Sequence, residues 1–553
     1  MNESNLPNKS SSRYGRVFRA LLWAVGLILG FAIYTIGIGS NPPGFFIDES
    51  ANAYNAFLVA TTGAGEVGGK FPLYFRFYSD LWVQWGNPTQ IYLLAAVFWL
   101  FGPSIVIARI VAAACAFGAC ILMGRLAYRI SGRMAIGVIV GGTALLNPWL
   151  FEVGRLVLDP FFYPMATVMF VSAVFTAQKK DRWTFWNILF IVVSLGLLTY
   201  SYTIGRLLAP VLALGLAIFI TNRKRLASVL FTWLGYAVTL IPLLIFAKEH
   251  PDLSNRFYLI SYIKRTSGIG EIIGKFIPRF LDELNPWTLL STGDTIPRHH
   301  MPGTFGSILL ATFILALIGT VVIFAKRLSI RWWLFIVYGF LASIVPCALT
   351  VDHAHTLRMI AYPIFLFTLM IPAIEWMLSP ILDPKTKIIE IDRTENLDDE
   401  DLPQEAAPDG SDRLPHSGWI GSVLRPKMIA LIMLIGLTLL QSGYFYAKYY
   451  NEGAERGTDF DVGYKQLYDL AVAQPQRPIY LLDDSLGPSY IHALWYSTLE
   501  GRDQSEFVHL RFGEKPQPGS LVLSTQPDCV NCEKIAANEK GILYISREAN
   551  EIP

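Results

Sequence analysis

Two adjacent carboxylates, Asp48 and Glu49, follow the first long apolar run of the chain, which covers residues 17–38. Carboxylates so close to a membrane face are costly to desolvate, and ionisable groups kept there usually have a function. A carboxylate at this point is suited to act as a general base that takes a proton from a hydroxyl or an amine. The alternative is a helix N-cap or a solvated loop start, where Asp is also favoured.

A second acid, Asp159, follows the apolar run at 135–150 and is itself followed by Pro160. Asp before Pro is typical of the first turn of a helix, so capping of the next span explains Asp159 as well as a functional role does. Arg155 lies four residues earlier. It is placed to pair with Asp159 or to bind an anionic head group.

Further cations and histidines flank later apolar runs. They are Arg206; Arg298 and His299 in the stretch 291–303, which also contains the acid Asp294; and His355 and Arg358 in the stretch 346–358. Guanidinium forks match phosphate oxygens, so the set predicts a phosphate-binding pocket. Snorkelling of single arginines to the membrane interface is the alternative. A metal site is a further one, because His-His and His-x-His are ligand spacings.

Acids and cations on one face suit a reaction whose leaving group is a phosphate. The cations would hold the phosphate and offset its developing charge, and an Asp would accept the proton of the attacking group. The sequence has no Gly-rich phosphate loop or Walker pattern that would indicate a nucleotide-driven pump. Nothing in the pattern indicates a nucleic-acid partner.

The elements that position these residues are apolar helices. The chain has 553 residues, of which 53% are hydrophobic and 16% charged, and its mean hydropathy is +0.41. This composition predicts a polytopic α-helical membrane protein. Basic clusters at 125–133, 179–182, 223–225 and 326–331 all fall on the cytoplasmic side if the run at 89–103 is re-entrant or interfacial. The prediction is then eleven spans, with the N-terminus cytoplasmic and the C-terminus outside.

The predicted organisation follows from these spans. It comprises a cytoplasmic tail (1–16), a membrane domain (17–378) with outer loops 39–103 and 248–306, an acidic and disordered cytoplasmic loop (379–427), a last span (428–447) and an extracytoplasmic α/β domain (448–553). Strands are expected near 478–482, 520–524 and 541–545, and helices near 461–473 and 488–499. Cys529 and Cys532 are expected to form a local disulfide if this domain is extracytoplasmic.

The chain resembles the GT-C superfamily of membrane glycosyltransferases over roughly residues 17–378. The resemblance is greatest to the bacterial protein O-mannosyltransferases and the aminoarabinose (lipid A) transferases, glycosyltransferase families 39 and 83. The motifs that carry it are Asp48-Glu49 with Tyr54 following, Phe71-Pro72-Leu73-Tyr74-Phe75, Asn87-Pro88, Phe101-Gly102 with Arg109, Arg155 with Asp159, Gly293-Asp294 with Arg298-His299, and His355-x-x-Arg358.

This resemblance implies an inverting glycosyltransferase that moves a sugar from a polyprenyl-phosphate donor to a protein, lipid or surface-glycan acceptor at the outer face of the plasma membrane. It implies Asp48 as the base, with Glu49 beside it for the acceptor or for positioning. Donor-phosphate binding is expected of Arg155, Arg298, Arg358, His299 and His355. Asp159, Tyr54, Arg206 and Asp294 are further candidate site residues.

No metal is assigned to the site, and a divalent ion stays an open alternative. A flippase, or a ligase of lipid-linked saccharides, is the alternative function. A flippase would carry ionisable residues deep within several spans and often an internal repeat. Here the charged groups lie at span ends, which favours the enzyme.

Overall fold

The computed structural model describes residues 9–78, 84–379, 426–483, 488–511 and 514–547. Within this part, five helices are long and apolar enough to cross a membrane: Ile105–Ser131, Asp159–Gln178, Arg223–Glu249, Arg331–Ala348 and Pro426–Phe460. Shorter apolar helices are Ala20–Thr35, Pro88–Phe101, Met134–Leu145, Phe185–Ser201, Gly205–Phe219, Leu310–Lys326 and Tyr362–Leu378. The total of eleven spans stays a prediction.

The helices of the membrane region follow one another through short turns. They are α1 Lys9–Thr35, α2 Ile47–Thr62, α3 Pro88–Phe101, α4 Ile105–Ser131, α5 Met134–Leu145, α6 Pro148–Val153, α7 Tyr163–Gln178, α8 Phe185–Ser201, α9 Gly205–Gly215, α10 Arg223–Glu249, α11 Asn255–Ile260, α12 Ile269–Glu283, α13 Trp287–Ser291, α14 Leu310–Lys326, α15 Arg331–Ala342, α16 Val345–Ala348, α17 Tyr362–Leu378 and α18 Pro426–Glu452. Short 3₁₀ helices occur at Asp159–Phe162, Leu216–Phe219 and Pro251–Ser254.

The centre of the helical region is α17, whose residues are almost all buried. It packs against α14, α15 and α18, and α4 lies close against α5. The α4–α5 approach depends on glycine, because a Cβ on Gly124 would lie 2.9 Å from the carbonyl oxygen of Gly137. Small residues at such crossings let helix backbones approach closely.

The predicted boundaries of the N-terminal tail and of the acidic loop differ from the structure or fall in residues that it does not describe. Helix α1 begins at Lys9, within the predicted tail 1–16, of which residues 1–8 are outside the described part. In the predicted acidic loop 379–427, residues 380–425 are likewise outside it. The run at 89–103 forms α3, which has 14 residues. At about 1.5 Å per residue it is shorter than the hydrocarbon core, and its place in a membrane stays a prediction.

Segment 39–103 folds into α2, two small hairpins and α3. The strands are β1 Ala64–Gly65, β2 Gly68–Lys70, β3 Phe75–Phe77 and β4 Gln84–Gly86. Antiparallel pairing joins β1 to β2 and β3 to β4, with Arg76 opposite Trp85. Gly68 and Gly69 have positive φ at the turn of the first hairpin, a conformation that glycine adopts without strain.

The C-terminal region forms a five-stranded mixed sheet in the order β6-β5-β7-β9-β8. Its elements are α19 Val462–Ala473, β5 Ile479–Leu482, α20 Tyr490–Glu500, β6 Phe507–His509, β7 Leu521–Ser524, β8 Cys532–Asn538 and β9 Gly541–Ser546. The three predicted strands and both predicted helices are confirmed. Cys529 and Cys532 form a disulfide, as expected.

This C-terminal unit packs on α2 through α20. Trp495 stacks against Phe45 and Phe98, with ring centroids 5.8 and 6.0 Å away. His492 Nδ1 lies 2.8 Å from Ser50 Oγ, and its Nε2 lies 3.2 Å from Asp461 Oδ2. The same Asp461 oxygen accepts the first backbone N–H of α2, from Ile47, at 3.0 Å.

The Asp461 carboxylate gives this interface a dependence on pH. Burial alone would raise its pKa, but the hydrogen bond and charge of His492 and the contact with Lys540 lower the pKa to about 2. A carboxyl with a lowered folded-state pKa stabilises the fold above its unfolded pKa of about 4, and the stabilisation is lost as the pH falls towards 2.

We therefore expect the wild-type protein to lose about 2 kcal/mol of unfolding free energy between pH 5 and pH 2.5 that Asp461→Asn does not lose. Thermal unfolding in detergent at the two pH values measures this difference. Equal losses of stability in both proteins would show that Asp461 does not hold the interface.

Candidate functional site

A cavity of about 300 Å³ lies where the N-terminal turn of α2 faces segments 158–160, 202–207, 256–260, 296–299 and 346–358. We call it the Asp48 cavity. Its charged and titratable lining residues are Asp48, Asp159, Arg256, Arg298, His299, Asp352, His355 and Arg358. Six of the residues singled out in the sequence therefore meet around one space, although they come from four separate stretches of the chain.

Asp48 is the second residue of α2 and is partly exposed. The positive end of a helix dipole stabilises a carboxylate in this first turn. Tyr78 donates its hydroxyl to Asp48 Oδ1 at 2.6 Å. Burial, and then the charge of Asp48, raise the pKa of Tyr78, which keeps that hydroxyl protonated. Asp48 is thus an oriented carboxylate at the wall of the cavity.

Glu49, its neighbour, is directed into the protein. Its carboxylate forms a fully buried ion pair with Arg109 of α4, with Nη2–Oε2 at 3.0 Å and Nε–Oε1 at 3.1 Å. It also accepts the backbone N–H groups of Phe46 and Val157 at 3.1 and 3.0 Å. These four contacts use both carboxylate oxygens and fasten the start of α2 to α4 and to segment 155–158.

Asp159 is held at the cavity wall by three side-chain amides. Asn87, Gln90 and Asn52 donate to its oxygens at 2.8, 3.0 and 3.3 Å. Because amides are neutral donors, this set positions the carboxylate without supplying a counter-charge. Asp159 starts a 3₁₀ helix that leads into α7.

Three guanidinium groups line the cavity. Arg298 lies over the ring of Phe46, 3.7 Å from its centroid. Arg358 pairs with Asp352 at 2.6 Å and donates to Thr350 Oγ1 at 2.8 Å. Arg256, in α11, has an exposed side chain. Together they place positive charge opposite Asp48, as a phosphate-binding surface requires.

Asp294 supports the histidines from behind. It accepts the backbone and hydroxyl donors of Thr356 at 2.8 and 2.7 Å, and its Oδ2 lies 3.1 Å from His299 Nδ1. Burial would raise the pKa of Asp294, but His299, His355 and Thr356 lower it below the usual range. Burial, and then the charges of His299 and Arg358, lower the pKa of His355 to about 3, so His355 is neutral at physiological pH.

These three residues are also the candidate ligands for a metal among the described residues. Ligand atoms of Asp294, His299 and His355 lie within 4.8 Å of one another. A carboxylate with two imidazoles suits a divalent transition metal. Asp294 Oδ2 already accepts hydrogen bonds from the backbone N–H and the hydroxyl of Thr356, so the cluster is hydrogen-bonded without a metal.

Four other predicted residues lie outside the described lining of the cavity. Arg155 donates to the carbonyl oxygens of Tyr34, Ile36 and Asn41 at 2.9, 2.9 and 2.5 Å and is fully buried. Tyr54 donates to Gln504 of the C-terminal unit at 2.8 Å. Arg206 donates to Asn87 at 3.2 Å, one contact away from Asp159. Asp294 contacts three residues of the lining, His299, His355 and Ile296.

Arg256, Asp352 and Tyr78 lie at the site and were not predicted. Arg256 lies within the 248–306 segment, where Lys248, Lys264 and Arg265 are equally basic, so nothing in the sequence distinguishes it. Tyr78 lies in the 39–103 segment without a recognisable motif. Only the hairpin of β3 and β4 brings it within reach of Asp48.

The fold is similar to that of ArnT from Cupriavidus metallidurans. The undecaprenyl-phosphate complex of ArnT aligns with a TM-score of 0.54 and 11% identity, covering 96% of this chain and 99% of ArnT. Apo ArnT aligns with a TM-score of 0.55 and 12% identity, covering 95% and 98%. The chain therefore has the fold of ArnT, and five of its described helices are long and apolar enough to cross a membrane.

A weaker likeness is to the oligosaccharyltransferase AglB from Archaeoglobus fulgidus, with a TM-score of 0.47 and 11% identity, covering 87% of this chain and 64% of AglB. No protein-family model matches the sequence, and no curated protein sequence matches it. The likeness to ArnT is therefore one of fold.

The Glu49–Arg109 pair is expected to be a large contributor to the stability of the fold. Glu49→Gln should destabilise it by about 3–5 kcal/mol, because it leaves a buried guanidinium without its counter-charge. Thermal unfolding in detergent measures the loss. The control is Glu271→Gln, since the Glu271–Lys275 pair is half exposed and solvent screening leaves it little effect on stability. Equal melting temperatures for the two variants would contradict this role of the pair.

Proposed function

We propose that this protein is an inverting glycosyltransferase that moves a sugar from a polyprenyl-phosphate donor to an acceptor at the outer face of the plasma membrane. The observation that carries the proposal is the Asp48 cavity, where one oriented carboxylate faces Arg256, Arg298 and Arg358. ArnT, whose fold this chain has, was crystallised with undecaprenyl phosphate, which supports a lipid-phosphate ligand.

In the proposed reaction, an acceptor hydroxyl gives its proton to the free oxygen of Asp48 as its own oxygen attacks the anomeric carbon. The bond from that carbon to the phosphate oxygen breaks, and the electron pair leaves with the polyprenyl phosphate. Arg298, Arg358 and Arg256 offset the charge that develops on this leaving group. Attack opposite the leaving group inverts the anomeric carbon.

The supporting residues follow from their contacts. Tyr78 holds the base in one orientation by its hydrogen bond, and Glu49 with Arg109 fixes the helix turn that carries it. Neutral His355 offers a hydrogen bond to the phosphate without adding charge. Asp159 lies on the same wall, and we assign it to the sugar or the acceptor, since its amide partners already fix its position.

Asp48→Asn tests the proposal because it keeps the shape of the side chain and removes the base. Transfer should fall about 10²- to 10⁴-fold, the usual contribution of a general base. The dissociation constant of the donor should change less than about threefold, because the arginines stay in place. The assay follows several radiolabelled polyprenyl-phosphate sugars with purified protein in liposomes.

Asp469→Asn is the matched control, since Asp469 is exposed on α19 and pairs with Lys465. It should transfer like the wild type. Normal turnover by Asp48→Asn would remove Asp48 as the base. Movement of intact donor across the bilayer, without cleavage by the wild type, would replace the enzyme with a flippase.

A further inference from the structure

A second cavity, of about 440 Å³, adjoins the β3–β4 hairpin. Successive side chains of a strand point to opposite faces. In β4, Gln84 lines the Asp48 cavity and Trp85 lines the second one. Segment 252–256 also contributes to both, since Arg256 lines the first cavity and Asp252 lines the second. The two cavities are therefore neighbours.

The second cavity has a rigid aromatic side. Trp85 donates from Nε1 to Asp252 Oδ2 at 2.9 Å, which fixes the plane of the indole. Its ring packs edge-on against Phe246 and His250 at 5.0 and 4.9 Å, and those two rings stack at 4.2 Å. A fixed apolar face beside a carboxylate suits a ligand that is apolar on one side and rich in hydroxyls at its edge.

The opposite side offers a second carboxylate, Glu66. Its Oε1 accepts the hydroxyl of Tyr490 from the C-terminal unit, and its Oε2 is buried with no hydrogen-bond partner among the described residues. Burial raises the pKa of Glu66 to about 7, because desolvation outweighs the hydrogen bond from Tyr490. A buried polar atom without a partner is unfavourable until a ligand supplies one.

The C-terminal unit braces this carboxylate. Tyr490 stacks on His509 with ring centroids 4.0 Å apart, and His509 Nε2 lies 3.2 Å from Asp483 Oδ2. Tyr490, His509 and Asp483 thus form a chain of contacts that leads from the C-terminal unit to Glu66, which lines the cavity. This contact gives the C-terminal unit a route to influence what the cavity holds.

We propose that this second cavity binds a saccharide acceptor, with a sugar ring on Trp85 and its hydroxyls on Glu66 and Asp252. The inference rests on the proposed function, since the second cavity adjoins the one that Asp48 lines. Two of its polar side chains are the carboxylates Glu66 and Asp252, and they lie beside the flat rings of Trp85, Phe246 and His250. Carboxylates beside flat rings suit the hydroxyls and the apolar face of a sugar.

The test is binding of detergent-solubilised full-length protein to an array of cell-surface glycans and glycolipids, beside an array of Ser- and Thr-containing peptides. The wild type should bind at least one glycan. Glu66→Gln should weaken that binding about tenfold, the usual effect of one hydrogen bond, and Trp85→Ala should weaken it more. Glu249→Gln is the control, because Glu249 is exposed next to His250 and outside the lining; it should bind like the wild type.

No glycan binding, binding unaffected by Glu66→Gln and Trp85→Ala, or binding of peptides alone would overturn the inference. Stronger binding of glycolipids than of free glycans would show that the saccharide acceptor is carried on a membrane lipid. Cleavage of labelled donor by water, which needs Asp48 and no acceptor, separates the two proposals. Cleavage of the donor without glycan binding would support the proposed function and contradict the saccharide site. Glycan binding without cleavage would support the saccharide site and contradict the proposed function.

Discussion

The buried Glu49–Arg109 ion pair is the contact on which the geometry of the site depends. It joins the first turn of α2 to α4 across 60 positions in the sequence, and both side chains are fully buried. Arg109 also donates to the carbonyl oxygens of Ile38, Pro42 and Gly44 at 3.3, 2.8 and 2.8 Å. The arginine therefore orders the chain that leads into α2, and the side chain that precedes Glu49, Asp48, lines the cavity.

The same turn is held from its other side by the C-terminal unit. Asp461 accepts the first N–H of α2, and His492 contacts Ser50. A base that acts on an acceptor must keep a fixed distance from it, and small displacements lower the rate steeply. Clamping α2 between α4 and the C-terminal unit meets this requirement. It also accounts for Tyr54, which the sequence marked as a site residue and which belongs to that interface.

The parts of the structure that local patterns determine were predictable. Aliphatic runs located β5, β7 and β9, and the position of Asp48 after the first apolar run located the candidate base. Arg155 could not be assigned in this way, because an arginine near a span end looks the same whether it faces a cavity or, as here, donates to buried carbonyl groups. The partnership of Glu49 was hidden for a related reason, since Arg109 lies within an apolar helix far along the chain.

Burial and pairing, which only the tertiary structure fixes, separate the cations that meet Asp48 from those that do not. Arg256 shows what the sequence could not predict. It is one of several cations in a long segment, and only its place in α11, which brings it to the cavity, distinguishes it from them.

The stereochemistry of transfer tests the central claim most directly. With a polyprenyl-phosphate donor of known anomeric configuration, NMR of the first product gives the configuration of the new linkage. A single displacement with Asp48 as base predicts inversion at the anomeric carbon. Retention would require a covalent sugar–enzyme intermediate and a carboxylate acting as nucleophile, and it would contradict the role given to Asp48.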